Sequence, residues 1–255
     1  MVKHTYHAEF DKYHPIKKHR SAVENDLKPS IVYILYFSLF ILGIAISLLV
    51  NTYFTIMMAW LWVMGVLYNV KPIRTKDVPY VDVLTESVNN AIRFLAGWFI
   101  VTDSYLPPVS IIIGYWFAGS FLMATKRFSE YCMINDPETA SLYRKSFARY
   151  TKKSLLISSF FYAMLSVLFV GIFLIKYRVE LILFIPFYIG LFCYYFYIAF
   201  KEDSAAQKPE KLYKEKGLFL YITAISIVFV ILMLVDIPAL SNLVDNKLIP
   251  LLFVR

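Results

Sequence analysis

Seven apolar blocks constrain this chain more than any other feature of its sequence: residues 31–50, 53–70, 83–102, 106–125, 154–175, 180–200 and 217–236. A helix rises about 1.5 Å per residue, so roughly 20 residues cross a hydrocarbon layer about 30 Å thick. Lipid offers no partner to backbone N–H and C=O groups, which restricts spanning segments to helices and closed barrels. Blocks this long, without apolar/polar alternation, read as helices. Composition agrees: 17% of residues are charged, against about a quarter in a soluble domain. The longest polar stretch, 1–30, is too short for a second folded domain. The expectation is therefore an all-α, polytopic transmembrane bundle forming one integral-membrane domain over 1–255.

The formal net charge of +8 could point to nucleic acid, but its distribution argues otherwise. Six Lys and Arg fall in 1–30, three in 71–82, seven in 126–153 and five in 201–216. The alternate connections hold none in 51–52, none in 103–105, two in 176–179 and two in 237–255. That is 21 against 4, with Arg93 left inside a block. Such alternation is the positive-inside pattern, which places the N-terminus and the four basic segments in the cytoplasm. The basic excess then meets anionic membrane lipid, not nucleic acid. The polar, basic first 30 residues do not resemble a cleavable signal peptide.

Pro107 and Pro108 are expected to open the fourth block, and Pro186 to kink the sixth. Asn135-Asp136-Pro137-Glu138 reads as a capped helix start, with a helix over roughly 137–150 carrying Arg144, Lys145 and Arg149. Cys132 and Cys193 lie in different segments and read as unpaired thiols.

The third block carries the chemistry. Asp82, Glu86, Asn89, Asn90, Arg93 and Gly97 fall at offsets 0, +4, +7, +8, +11 and +15, one stripe of a helix. A charge at the centre of a membrane helix costs about 2.5–3.5 kcal/mol on insertion scales. Glu86 and Arg93 must therefore face each other as a structural pair or line a polar ligand cavity. The two amides beside them favour a cavity. Lys71, Arg74 and Lys76 in the preceding loop could hold a phosphate next to that stripe.

The run YNVKPIRTKDVPYVDVLTESVNNAIRFLAGW resembles UbiA-type intramembrane prenyltransferases. DKYHPIKKHR at 11–20 is similar to the continuation of that family's first aspartate-rich motif. In the decaprenyl-phosphate phosphoribosyltransferase branch, NDxxDxxxD runs into DRxHPxKRxRP. Asp11, His14, Pro15, Lys17 and Arg20 match; Lys12 and Ser21 depart. TKRFSEY at 125–131 resembles the same branch, where other members carry a second aspartate-rich motif. RKSFARYT at 144–151 and KPEKLYKEKGLFLY at 208–221 look like its later cytoplasmic segments. In register with NDxxDxxxD the chain has Lys3, His4, His7 and Asp11, so only the last aspartate is present. The family has about nine helices and this chain seven apolar blocks, so the resemblance implies a chain incomplete at its N-terminus.

The resemblance implies a Mg²⁺-dependent transferase. Asp11 and Glu86 would serve the metal, and Lys17, Arg20, Lys71, Arg74, Lys76, Lys126 and Arg127 the substrate phosphates. Asn89, Asn90 and Arg93 would orient the donor, forming with Glu86 the catalytic set. Two chemistries follow from it. One transfers phosphoribose from phosphoribosyl diphosphate to a polyprenyl phosphate, and the other a prenyl group from a prenyl diphosphate to a small acceptor. A binding or transport protein, or an inactive relic lacking the aspartates, are the readings without chemistry.

Overall fold

The computed structural model describes residues 29–201, 204–207 and 209–240. The expectations on Asp11, Lys17, Arg20, His4 and His7 lie outside these residues. Every regular element among the described residues is helical: α1 Pro29–Ser47, α2 Thr52–Asn69, α3 Val81–Val101, α4 Val109–Ile134, α5 Pro137–Tyr143, α6 Lys152–Tyr177, α7 Ile185–Ala199 and α8 Lys216–Leu234. Helix covers each of the seven apolar blocks. Four segments are long and apolar enough to cross a membrane: α4, α6, Val179–Ala199 and α8. The polar stripe of α3 lowers its own hydropathy.

Three local expectations are corrected. The helix after Asp136 ends at Tyr143, where Arg144 turns extended (φ −147°, ψ 121°), and a 3₁₀ turn, Lys145–Arg149, follows. Asp136 does cap it, accepting from Thr139 N at 2.9 Å, with Pro137 in the first turn. Pro186 does not kink a continuous helix. It lies in the first turn of α7, behind the 3₁₀ segment Val179–Phe184, where its missing N–H costs nothing. Pro108 is the N-cap of α4 rather than part of it.

Successive long helices run antiparallel. Asn51 shows how one end is fixed: its carboxamide oxygen accepts from Phe54 N at 2.8 Å, while its Nδ2 donates to Phe99 O on α3. Trp62 of α2 stacks on Phe40 of α1 at 4.3 Å between ring centroids. The inner core gathers Val83, Phe121, Ala124, Tyr162, Phe192 and Tyr195 from α3, α4, α6 and α7. Between these apolar groups lie fully buried serines. Ser87 and Ser120 bond across α3 and α4 at 2.7 Å, and Ser166 donates to Gly114 O at 2.8 Å. Lipid is as apolar as leucine, so helices in it associate through close backbone approach and interhelical hydrogen bonds. The outward faces carry exposed Ile34, Leu49, Phe219 and Leu220, as a lipid-facing surface requires.

Gly114 marks the tightest approach of α4 to α6. A Cβ there would sit 2.7 Å from Val170 Cγ2 and 3.1 Å from Val170 N, whereas one at Gly43 meets nothing within 4 Å. Gly114→Ala should lower the detergent melting temperature by roughly 2–10 °C, the range set by an overpacking cost of about 1–3 kcal/mol. Gly43→Ala should leave it unchanged or raise it slightly. Equal melting of the two variants would contradict this packing.

Candidate active site

The basic connections 71–80 and 135–151 and the turn 204–207 meet at one end of the bundle, and there the polar stripe of α3 begins. Asp82, fully buried, is saturated by three donors: Arg144 Nη1 at 2.8 Å, Ser146 Oγ at 3.2 Å and Tyr150 Oη at 2.8 Å. Burial, reinforced by the Asp82 charge, pushes the Tyr150 phenol well above its ordinary range, so it stays protonated and donates. Asp82 is thus the socket into which the 144–150 segment plugs. The extended backbone at Arg144 turns that side chain inward.

One turn on, Glu86 Oε2 accepts from Tyr68 Oη at 2.6 Å and from Arg127 Nη2 at 2.6 Å. Arg127 on α4 also reaches Glu130 Oε2 through Nη1 at 3.2 Å and lies with its Nε 3.5 Å from Asp82 Oδ2. Tyr68 Oη in turn accepts from Arg144 Nη2 at 3.2 Å. Asp82 and Glu130 are wholly buried and Arg127 is 3% exposed, while Glu86 is open to about a fifth of its side chain. Among the described residues, Arg127 thus meets all three carboxylates and Arg144 meets Asp82.

Farther along the stripe the site opens. Asn89 is half-buried, and its Oδ1 has no hydrogen-bond partner among the described residues. Asn90 packs against Gly119, where a Cβ would come within 2.7 Å of its Nδ2. Arg93 is exposed and bonds Asn90 Oδ1 at 3.2 Å. A Glu86–Arg93 pair is therefore not what neutralises Glu86: Arg127 does so. Of the loop cations, Lys71 is exposed, Arg74 is buried 3.1 Å from Asp77, and Lys76 is buried. Lys126 is half-buried. Arg127, expected on substrate phosphate, is occupied by carboxylates.

Tyr68, Arg144, Ser146 and Tyr150 complete the cluster, and the sequence reading did not single them out. No periodicity links them to α3, since Arg144 and Tyr150 bond Asp82 across more than 60 positions. A buried carboxylate on α3 requiring a donor was the available signal.

A family model described as "UbiA prenyltransferase family" matches residues 4–236. The chain belongs to that family. The fold is similar to solved structures of a UbiA homolog from Archaeoglobus fulgidus, one bound to DMAPP and Mg²⁺, another to GPP and Mg²⁺. Both superpositions have a TM-score of 0.65, cover 88% of this chain and 81% of that one, and show 18% and 17% identity. No curated protein matches the sequence. Within this UbiA-family bundle the Asp82–Glu86–Arg127 cluster joins α2, α3, α4 and the 144–150 segment at its basic end.

Two substitutions test the cluster. Arg127→Met takes the guanidinium from Glu86 and from the wholly buried Glu130 and should cost about 3–5 kcal/mol in a denaturation titration. Asp82→Asn should leave the long helices folded yet accelerate hydrogen exchange over 140–150 on the order of tenfold or more. Unchanged exchange there would remove Asp82 as the socket.

Proposed function

We propose that the protein is a Mg²⁺-dependent membrane transferase that displaces diphosphate at the basic end of its bundle. The observation that carries this reading is a partly open Glu86 carboxylate one turn from an Asn89 Oδ1 that has no hydrogen-bond partner among the described residues. Both are hard oxygen donors three residues apart on one helix face. Among the described residues no group of three Asp, Glu, His or Cys side chains could hold a metal. Mg²⁺ does not need such a cage, because it is held by one or two carboxylates together with substrate phosphates. Glu86 and Asn89 fit that role, with Asp11 as the further carboxylate. Held there, Mg²⁺ would supply positive charge against the departing diphosphate. Asn90 and Arg93, on the same open stripe, orient the donor, and Lys126 supplies a cation at the basic end, whereas Lys71 lines an outer cleft. Arg127, Arg74 and Lys76 act from buried positions, Arg127 by fixing Glu86.

For the donor and acceptor, we infer phosphoribosyl diphosphate and a polyprenyl phosphate, whose chain lies between helices and enters from the bilayer. A phosphate oxygen attacks the ribose anomeric carbon, the bond from that carbon to diphosphate breaks, and diphosphate leaves with the electron pair. That acceptor is already ionised and needs no base. The prenyl-transfer reading has its own support: the similar Archaeoglobus structures hold DMAPP and GPP with Mg²⁺.

Titration calorimetry separates the two. The protein should bind phosphoribosyl diphosphate in the presence of Mg²⁺ and not in its absence. Preference for geranyl diphosphate would establish the second reading, and no binding of either would leave an inactive relic. Glu86→Gln should lower turnover by a hundredfold or more. For orientation, reporters inserted at 103–105 and at Lys201 should lie on opposite sides of the membrane, the second in the cytoplasm. A shared side would refute the topology.

A further inference from the structure

Two adjoining clefts open on the outer side of the basic connections, apart from the residues of the Glu86 cluster. The first, about 500 Å³, is lined by Asp77, Val78, Pro79, Ser141, Lys145 and Arg149. The second, about 560 Å³, shares Asp77 and Val78 and adds Lys71, Ile73 and Arg74. Among the described residues the one carboxylate in either lining, Asp77, is neutralised by Arg74 at 3.1 Å. Lys71, Lys145 and Arg149 are exposed, and among the described residues none has an ion pair or hydrogen bond. Three uncompensated cations therefore converge on one double cleft.

What surrounds them is apolar. Ile73 and Val78, in the linings, are 57% and 44% exposed, and Leu142 and Tyr80, next in sequence to the lining Ser141 and Pro79, are 51% and 43% exposed. An anion site facing bulk water gains nothing from such a rim. At the end of membrane helices, cations interleaved with exposed aliphatic and aromatic side chains match the level of lipid headgroups. We propose that the double cleft holds the phosphate headgroup of an anionic phospholipid. Lys71, Lys145 and Arg149 meet its charge, and Ile73, Val78 and Leu142 meet the upper acyl chain. The lipid bridges the 71–80 loop and the 145–149 turn, the two segments that close over Asp82. Occupancy accordingly braces the cluster without taking part in the chemistry, whichever donor the site uses.

The test uses the full chain in nanodiscs of phosphatidylcholine, with or without phosphatidylglycerol. Phosphatidylglycerol should raise the melting temperature by at least about 4 °C, as expected for two or three cations near the membrane surface. The Lys145→Gln/Arg149→Gln variant should lose that shift while melting like wild type in phosphatidylcholine. Lys214→Gln/Lys216→Gln, an equal charge change on another basic connection, should keep it. Equal melting of the wild type in both lipids overturns the proposal, and this holds even if the double variant does not fold. So does retention of the shift in Lys145→Gln/Arg149→Gln, or its loss in both variants, which would mark a general charge effect. An equal shift from inorganic phosphate added to phosphatidylcholine discs would make it a free-anion site and overturn the lipid assignment.

Discussion

Arg127 is the charge on which the polar end of this bundle depends. It lies on α4, a helix that must cross an apolar layer, and it is 3% exposed. An isolated guanidinium there would be intolerable, and so would Asp82, Glu86 or Glu130 alone. Together they satisfy one another, at the cost of fixing where their helices stand. Glu86 at 2.6 Å and Asp82 at 3.5 Å bring the first two turns of α3 against the last two of α4. The small residues farther along, Ser87 on Ser120 and Asn90 on Gly119, permit the same close approach. The electrostatic demand and the steric permission agree in register. That agreement makes α3 and α4 a rigid wall.

Much of the fold was legible because it follows from local rules. Each apolar block became helix because lipid leaves the backbone no alternative, and the Asp136 cap followed from its own side chain and Pro137. What failed was continuity. Pro186 was read as an interior kink because the block 180–200 is uniformly apolar, yet a 3₁₀ turn precedes it and makes it a helix start. The 137–150 segment was read as one helix because nothing in its composition breaks it. The break at Arg144 comes from outside, from a buried Asp82 that only an extended residue can reach.

The candidate site divides along the same line. That Asp82, Glu86, Asn89, Asn90 and Arg93 share one stripe follows from a period of 3.6. Which cation each acid takes does not. Arg93, seven positions from Glu86, was the local candidate, whereas Arg127 is 41 positions away and Arg144 lies 62 from Asp82. Long-range pairing of this kind is set by helix order, which one sequence does not display.

The stripe also changes character along its length, and that gradient bears on mechanism. At Asp82 three donors of the 144–150 segment hold the carboxylate; at Glu86 one oxygen is shared by Tyr68 and Arg127; at Asn89 the carbonyl oxygen has no partner among the described residues. The closed end therefore holds the scaffold and the open end is left to bind. Tyr68 connects them, since its hydroxyl accepts from Arg144 and donates to Glu86. A displacement of the 144–150 segment would withdraw Arg144 both from that hydroxyl and from Asp82, and so alter the hydrogen bonding of Glu86. The basic surface and the candidate metal carboxylate are thus two ends of one hydrogen-bonded chain. An occupant of the outer cleft that holds the 144–150 segment in place acts on Glu86 through that chain.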